Sequence, residues 1–225
     1  MSSNEMMEWL APPPASGPGR RDHQARKSGP KQQVPREIFD LDFDQGNPNV
    51  LYAGGRQARL WTTDMRTSGR DWRFANIPSS AAHVKSLNAS EVLVSGPCDL
   101  LSIYDIRYLS STTSSSSHTP SRPLLTFPSH SNKAHIHVGL DVSSELGVVA
   151  AAQGNGTIKM FSTTSGRVLS EGGSQTGLGA VKTDTPVKAL QFRKMPWERW
   201  ESLWVAEGPT LKKFSFGVRN WEDEA

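Results

Sequence analysis

The sequence predicts an all-β fold built from repeated units, and three observations support this prediction. From Ile38 onward, short runs of Val, Ile, Leu and aromatic residues alternate with turns rich in Gly, Asn, Asp, Pro and Ser, without a convincing helical period. Four segments share one pattern: an apolar strand, a glycine-containing turn and a second strand that ends on an aromatic residue. A further apolar run precedes each segment, so each unit is predicted to hold at least three strands.

The four segments repeat at a nearly constant interval. They are VLYAGGRQARLW (50–61), VLVSGPCDLLSIY (92–104), VVAAAQGNGTIKMF (148–161) and LWVAEGPTLKKF (203–214). Their closing aromatics are Trp61, Tyr104, Phe161 and Phe214, which are 43, 57 and 53 residues apart. A Ser/Thr-rich insertion of thirteen residues explains the longer second interval, and the segment EGGSQTGLGAVKTD extends the third. The underlying unit is therefore close to 43 residues long.

Other apolar runs supply the remaining strands of each unit. The runs that precede the segments are EIFDLDF (37–43), AAHVKSL (81–87), AHIHVGLDV (134–142) and PVKALQF (186–192). PLLTF and GRVLSE, which follow two of the closing aromatics, are candidates for a fourth strand. MPWERWESLW places three tryptophans at a spacing that suits two helical turns, but an irregular insertion whose rings cover the edge of the core is the favoured interpretation.

Four-stranded units that repeat every 40 to 45 residues are typical of a β-propeller. The runs TIKMFSTTSGRVL and LLSIYDIR resemble the WD-repeat (WD40) family: the first resembles the third strand, turn and outer strand of a blade, and the second the place of the Trp-Asp signature. No Gly-His pair opens the blades, and Tyr104-Asp105 stands in place of Trp-Asp. The resemblance covers about residues 37–217 and implies roughly four blades, so we expect part of a larger or truncated propeller.

The segments that flank and interrupt the blades differ in composition. Residues 1–36 hold six of the fifteen prolines and are predicted to be a disordered tail, and residues 218–225 form an acidic C-terminal tail. The Ser/Thr-rich insertion at 109–122 is predicted to be a flexible surface loop and a candidate for phosphorylation.

Charge and cysteine content limit the classes of partner and compartment. The formal net charge of +3 is confined to residues 1–36, which hold six Lys/Arg and three Asp/Glu. The remaining residues have no net charge, which argues against direct nucleic-acid binding. The single cysteine, Cys98, suits a reducing compartment, and no apolar run approaches the roughly 18 residues of a membrane span. The start of the chain lacks the features of a secretory signal. We expect an intracellular protein of nucleus or cytoplasm without a membrane partner; GRRDHQARK is either a nuclear-import patch or solvated tail.

Motifs for catalysis or cofactor binding are weak. His135 and His137 are predicted to share one face of a strand, but no further metal ligands stand at a recognisable spacing. QGNGTIK is followed by a strand rather than a helix, which indicates a hairpin turn of the Asn-Gly sort and not a phosphate loop. No Gly-x-Ser-x-Gly elbow or familiar triad order appears. We therefore expect no enzyme activity, no metal and no cofactor.

One acid–base pair stands at the end of an apolar strand. Asp105 and Arg107 are two residues apart, so both side chains point to the same side of an extended chain. A catalytic role lacks a nucleophile and a pocket. A structural role, in which Asp105 accepts turn N–H groups and pairs with Arg107, and a docking role both remain open.

The docking role follows from a second resemblance. Tyr-Asp-Ile-Arg is similar to the Trp-Asp-x-Arg box of WD-repeat substrate receptors of cullin-RING ubiquitin ligases, and the wider blades resemble the fourth-numbered subgroup of adaptor-associated factors. The resemblance implies a protein-binding dock of Tyr104, Asp105 and Arg107 for the adaptor, with Arg107 making the contact and Asp105 orienting the turn. Arg66 follows its aromatic Trp61 by five residues instead of three and is therefore assigned to the turn alone.

The function expected from the sequence is a non-enzymatic scaffold that recruits a ligase substrate. The alternatives are a WD-repeat scaffold of another intracellular complex, or a truncated propeller without autonomous function. A propeller enzyme or small-molecule binder would need acids or histidines that converge on a central channel, and the four units give no sign of them.

Overall fold

The described part of the chain forms four antiparallel sheets. The computed structural model describes residues 34–67, 71–109, 119–169, 178 and 181–216. The first sheet holds β1 (Ile38–Phe43), β2 (Val50–Gly55), β3 (Arg59–Asp64) and β4 (Arg73–Asn76), and the second holds β5 (His83–Ser86), β6 (Glu91–Ser95), β7 (Leu101–Asp105) and β8 (Leu125–Thr126). The third holds β9 (Leu140–Ser143), β10 (Val148–Ala152) and β11 (Ile158–Ser162), and the fourth holds β12 (Ala189–Arg193), β13 (Ser202–Glu207) and β14 (Thr210–Ser215).

Each sheet is a meander in which neighbouring strands follow one another along the chain. The repeated segments become the hairpins β2–β3, β6–β7, β10–β11 and β13–β14. The preceding runs supply the first strand of each sheet, β1, β5, β9 and β12, which we call the inner strand. The predicted outer strand in PLLTF is confirmed as β8, whereas GRVLSE contributes only a bridge between Val168 and Phe161 in the described residues. The all-β class predicted from the sequence is confirmed.

Two predictions about local structure were wrong. The strand expected from residue 134 begins at Leu140, so His135 and His137 lie in a loop. The side chain of Asn132 holds that loop: its Oδ1 accepts the N–H of His135, and its Nδ2 donates to the carbonyls of Gly96 and His135. The segment before β13 is irregular, as expected, but the ring of Trp197 is largely exposed and does not cover the core.

The sheets stack face to face in chain order. One apolar cluster, with Tyr52 and Val92 at its centre, joins the first sheet to the second. A second cluster, with Leu93 and Phe161, joins the second sheet to the third, and a third cluster joins the third sheet to the fourth through Ala150 and Leu203. The middle strands β6 and β10 of the second and third sheets are apolar on both faces because a neighbouring sheet covers each side, and this explains their continuous apolar runs in the sequence.

Hydrogen bonds along the inner strands set the register between sheets. The carboxylate of Asp40 accepts the N–H of Val84 (3.0 Å), and that of Asp42 accepts the N–H of Ser86 (2.8 Å). In the third sheet, Asp141 accepts the N–H of Phe192 in the fourth (2.7 Å). The two bonds from β1 therefore hold β1 and β5 parallel and in register, so equivalent strand ends of the first two sheets lie on the same rim.

The hairpin predicted from QGNGTIK is confirmed. Gln153 and Thr157 close the turn through an N–H to carbonyl bond of 2.7 Å, and Gly156 adopts a positive φ of +81°. A Cβ at Gly156 would lie 1.9 Å from the carbonyl oxygen of Thr183, so this position requires glycine for both conformation and space.

Several sequence predictions fall on residues outside the described ranges. These are most of the N-terminal tail with the basic GRRDHQARK, the core of the Ser/Thr-rich insertion (110–118) and the acidic tail. Within the described ranges, no helix has the length and apolar character that a membrane crossing requires.

Candidate docking rim

The candidate site lies where β7 ends. Asp105 is the last residue of the strand and caps a single 3₁₀ turn, Ile106–Tyr108, by accepting the backbone N–H of Arg107 at 3.0 Å. The N–H of Ile106 continues the β6–β7 ladder by donating to the carbonyl of Ser90 (2.8 Å). The turn is thus fixed on both sides, and the structural role expected of Asp105 is present in the structure.

Arg107 pairs with the same carboxylate through its side chain. Its Nε donates to Oδ1 of Asp105 at 3.0 Å and its Nη2 donates to Oδ2 at 2.6 Å, which is a bidentate arrangement. The Arg107 guanidinium holds the pKa of the Asp105 carboxyl below its usual value. The Arg107 side chain is 66% exposed, whereas that of Asp105 is 9% exposed. A covered acid therefore orients an exposed base, and we refer to this arrangement as the Asp-x-Arg clasp.

The structure places Tyr104 away from this surface. Its ring is fully buried in the cluster between the first and second sheets, and this burial raises the pKa of its hydroxyl to about 12. Tyr108 has the opposite environment: it is 81% exposed, and the guanidinium of Arg107 lies 5.7 Å from the centroid of its ring. Of the three predicted dock residues, Arg107 is exposed at the rim and Asp105 accepts hydrogen bonds that orient it. Tyr104 lies in the apolar cluster between the first two sheets.

The first sheet carries a second copy of the clasp. Asp64 ends β3, its Oδ1 accepts the N–H and Nε of Arg66 at 2.9 and 3.0 Å, and its Oδ2 accepts Nη2 at 2.7 Å. The hydrogen bonds from Arg66 lower the pKa of Asp64 to about 2. The assignment of Arg66 to the turn alone was therefore wrong, because it occupies the position of Arg107 in the neighbouring sheet.

Strand register explains why counting residues from the aromatics Trp61 and Tyr104 did not show this equivalence. Val50 pairs with Asp64 as Glu91 pairs with Asp105, so the residue equivalent to Tyr104 is Thr63 and not Trp61. The observed strand starts, Val50 and Glu91, align the two clasps, whereas the repeated segments in the sequence begin at 50 and 92 and do not. Ser162 and Thr164 hold the equivalent positions of the third sheet, and their hydroxyls lie 2.9 Å apart.

A groove of about 510 Å³ opens beside the clasp between the second and third sheets. Ile103, Leu125 and Val142 form its apolar wall, and Glu91 and Thr164 are among its polar lining residues. Glu91 also interacts electrostatically with Arg107. The clasp and the groove therefore share one part of the rim.

Sequence reasoning also missed the charged residues on the inner edge. Besides the carboxylates of Asp40, Asp42 and Asp141, which accept N–H groups of a neighbouring sheet, they include His83. The Nε2 of His83 lies 2.5 Å from the carbonyl oxygen of Val138, and its Nδ1 lies 3.8 Å from Asp40. Each of these groups is engaged in a contact between sheets. The described residues contain no cluster of three or more His, Cys, Asp or Glu side chains that would suit a metal ion.

Comparison with known proteins gives the fold alone. No family model and no curated protein matches the chain. Among solved structures, it is similar to the computationally designed Ika4 protein, with 16% identity and a TM-score of 0.52 over 84% of this chain and 95% of that one. It is also similar to the computationally designed Ika8 protein, with 17% identity and a TM-score of 0.53 over 80% of this chain and 46% of that one.

Proposed function

We propose that the chain is a non-enzymatic WD-repeat scaffold whose four sheets are propeller blades, and that its rim docks the adaptor of a cullin-RING ubiquitin ligase. In this role the protein recruits a substrate to the ligase in the nucleus or cytoplasm. The observation that carries the proposal is the Asp105–Arg107 clasp, which presents an oriented and exposed guanidinium at the rim.

The clasp leaves most of the arginine available for a partner. A guanidinium has five N–H donors. The clasp uses one donor on Nε and one on Nη2, so three remain, including both on Nη1. Because Asp105 fixes the plane of the group, less rotamer freedom is lost when a partner binds. A partner carboxylate or a pair of carbonyl oxygens would match these donors.

The neighbouring side chains have the composition of a protein-binding surface. Tyr108 and Leu124 are exposed near the end of the same sheet, and tyrosine and arginine are enriched among residues that dominate binding energy. The groove beside Glu91 offers an apolar wall next to the clasp. A partner segment with an acidic residue beside an aliphatic one would use both features.

The acids and the histidine on the inner strands are engaged in contacts between sheets, which supports a non-enzymatic role. Asp42 and Asp141 accept backbone N–H groups of the neighbouring sheet, and the Nε2 of His83 lies within hydrogen-bond distance of a carbonyl. These groups hold the sheets together, which is a structural use of acids and histidine on an inner edge.

Direct binding of the purified chain to purified adaptor tests the proposal. Arg107→Ala is expected to weaken binding at least tenfold, as for the loss of a central arginine. Arg107→Lys should also weaken it, because an ammonium group lacks the planar fork that pairs with Asp105. Wild-type affinity in both variants would contradict the docking role, and binding of a different complex that depends on Arg107 would keep the scaffold and remove the ligase.

A further inference from the structure

The last sheet carries an exposed aromatic loop on the connection between β12 and β13. Residues 194–201 form this connection, in which Trp197 is 79% exposed and Trp200 is 42% exposed; we call it the tryptophan loop. The guanidinium of Arg199 lies 5.4 Å from the centroid of the Trp200 ring. The other three sheets have shorter equivalent connections without an aromatic residue, at 44–49, 87–90 and 144–147. The exposed tryptophans are therefore an addition to the pattern that the sheets share.

Hydrogen bonds within the chain hold the tryptophan loop in place. The N–H of Glu198 donates to the carbonyl of Met195 (3.0 Å), and the Glu198 carboxylate accepts the N–H of Met195 (3.1 Å). The same carboxylate accepts the hydroxyl of Ser202 (3.2 Å) and forms an ion pair with Lys213 of β14. The loop is thus tied to its sheet while its rings face solvent, so little backbone freedom is lost when a partner covers them.

The tryptophan loop lies beside the β9–β10 loop, because β12 runs parallel to β9. Before these strands begin, the N–H of Gly139 donates to the carbonyl of Val187 (2.7 Å). After they end, the Nζ of Lys194 donates to the carboxylate of Glu145 (2.9 Å). The hydrogen bond from β12 to Asp141 lies between these two contacts. The three contacts occur in the same order along both segments, so the two loops stand at the same end of their sheets.

The β9–β10 loop lies in turn beside the Asp-x-Arg clasp. Ser144 and Gly147 of this loop line the groove of about 510 Å³ together with Asn88 and Glu91 of the second sheet. Glu91 pairs with Asp105 in the β6–β7 ladder. The clasp, the groove and the tryptophan loop therefore follow one another along one rim, from the second sheet to the fourth.

The two ends of this part of the rim have the same chemical character. At the clasp, Arg107 lies beside the exposed ring of Tyr108. On the tryptophan loop, Arg199 lies beside Trp200, and the neighbouring Trp197 is still more exposed. Arginine, tyrosine and tryptophan are the residue types that most often dominate the binding energy of protein–protein contacts. One large protein partner would match both ends.

We propose that the tryptophan loop is a second contact for the adaptor that docks on the clasp. Trp197 enters an apolar pocket of the adaptor, and Arg199 pairs with a carboxylate at the edge of that pocket. The inference rests on the docking function proposed above and deepens it by assigning the last sheet to the same partner. An aromatic and basic loop also suits an anionic membrane surface, but the shared rim with the clasp favours the protein partner.

Titration of the purified full-length protein against purified adaptor tests the proposal. Trp197→Ala is expected to raise the dissociation constant at least tenfold, and Arg199→Ala by a smaller factor. Both variants should keep the wild-type thermal melt, because both side chains are exposed. Leu211→Ala is the matched control and should bind like wild type, since Leu211 is 64% exposed and pairs with Ala206 at the opposite end of the same sheet.

Two further measurements separate the possible failures. In the same titration, Arg107→Ala and Trp197→Ala should have effects that multiply in the double variant, because the two contacts are separate. Weaker binding of Arg107→Ala with wild-type affinity of Trp197→Ala would overturn this inference and leave the docking function intact, whereas absence of binding by wild type would remove both. Binding to phosphatidylserine-containing vesicles that depends on Trp197, with unchanged affinity for adaptor, would assign the loop to a membrane and overturn the proposal.

Discussion

Arg66 and Arg107 occupy equivalent positions in neighbouring sheets, and each donates three hydrogen bonds to the aspartate two residues before it. The inner strands of the two sheets run in register, so both guanidinium groups stand on one rim. Their surroundings differ, because Tyr108 follows Arg107 and is exposed, whereas the residue after Arg66 is Thr67, whose hydroxyl donates to the carbonyl of Asp64. The two positions therefore provide an internal comparison.

Arg66→Ala is the first prediction that uses this comparison. If a partner spans the rim, the variant should weaken adaptor binding, but by less than Arg107→Ala, because Arg107 lies beside the exposed ring of Tyr108, whereas Thr67 follows Arg66. Titration of both single variants and the double variant against purified adaptor gives the two effects and their coupling. An Arg66→Ala effect larger than that of Arg107→Ala would place the centre of the dock on the first sheet.

The second prediction concerns the carboxylates between sheets. Asp141→Ala removes the acceptor of the Phe192 N–H and is expected to lower the free energy of unfolding by about 1–3 kcal/mol. Asp141→Asn keeps an acceptor oxygen and should cost less. Gln191 corresponds to Asp141 in the last sheet, since each pairs with the third residue of the following strand, but Gln191 is exposed; Gln191→Ala should therefore leave stability unchanged. Urea denaturation of the three variants would contradict the account if Gln191→Ala were the most harmful.

The third prediction concerns glycines at two turns. Gly156 and Gly208 both have positive φ, but a Cβ at Gly156 would meet the carbonyl of Thr183, whereas nothing lies within 4 Å of a Cβ at Gly208. Gly208→Ala should cost about 1 kcal/mol from backbone conformation alone. Gly156→Ala should cost about 3 kcal/mol or more, because the chain must also move. Equal midpoints of thermal unfolding for the two variants would contradict the close approach.

The fourth prediction concerns pH and the buried His130. The Nδ1 of His130 lies 3.2 Å from Nε2 of Gln153, whose orientation is fixed because its Oε1 accepts the N–H of Ser131. The Nε2 of His130 has no partner in the described residues. Burial lowers the pKa of His130 to about 4; the charge of Asp99 opposes this shift, and that of Lys159 adds to it.

The sign of the pH effect follows from these values. Above pH 6.5 the imidazole is neutral in both states, so stability does not depend on it. Between pH 6.5 and 4 the unfolded chain binds the proton and the folded chain does not, so stability falls as pH falls, by up to about 3 kcal/mol in total. His130→Gln should flatten this part of the curve relative to wild type in denaturation measured from pH 7.5 to 4. Parallel curves would show that His130 does not titrate as described.

The repeat was predictable from the sequence, but its register was not fully so. Trp61 and Thr63 lie on the same face of β3, since side chains alternate with a period of two. The closing aromatic can therefore stand two residues earlier in one unit than in another without a change in the apolar pattern. This two-residue difference between Trp61 and the position equivalent to Tyr104 concealed the equivalence of Arg66 and Arg107. Only the pairing of Val50 with Asp64 shows the correct register.

Other features depend on contacts between units, which a single repeat does not reveal. Asn132 binds the loop at His135 and delays β9 until Leu140, although the local sequence suits a strand. The roles of Asp42 and Asp141 depend on the neighbouring sheet, because their partners are backbone N–H groups about 40 to 50 residues away. Residues that make contacts between sheets are therefore harder to predict than those that make contacts within one sheet.

The most direct test of the docking function is a pull-down of the tagged full-length protein from cells, with partners identified by mass spectrometry. Wild type, Arg107→Ala and the control Arg56→Ala should be compared at equal expression; Arg56 is an equally exposed, ion-paired arginine at the opposite end of its sheet from the clasp. The account predicts adaptor and cullin with wild type and control, and neither with Arg107→Ala. Recovery of adaptor and cullin with Arg107→Ala at the wild-type level, or their absence from all three samples, would contradict the account.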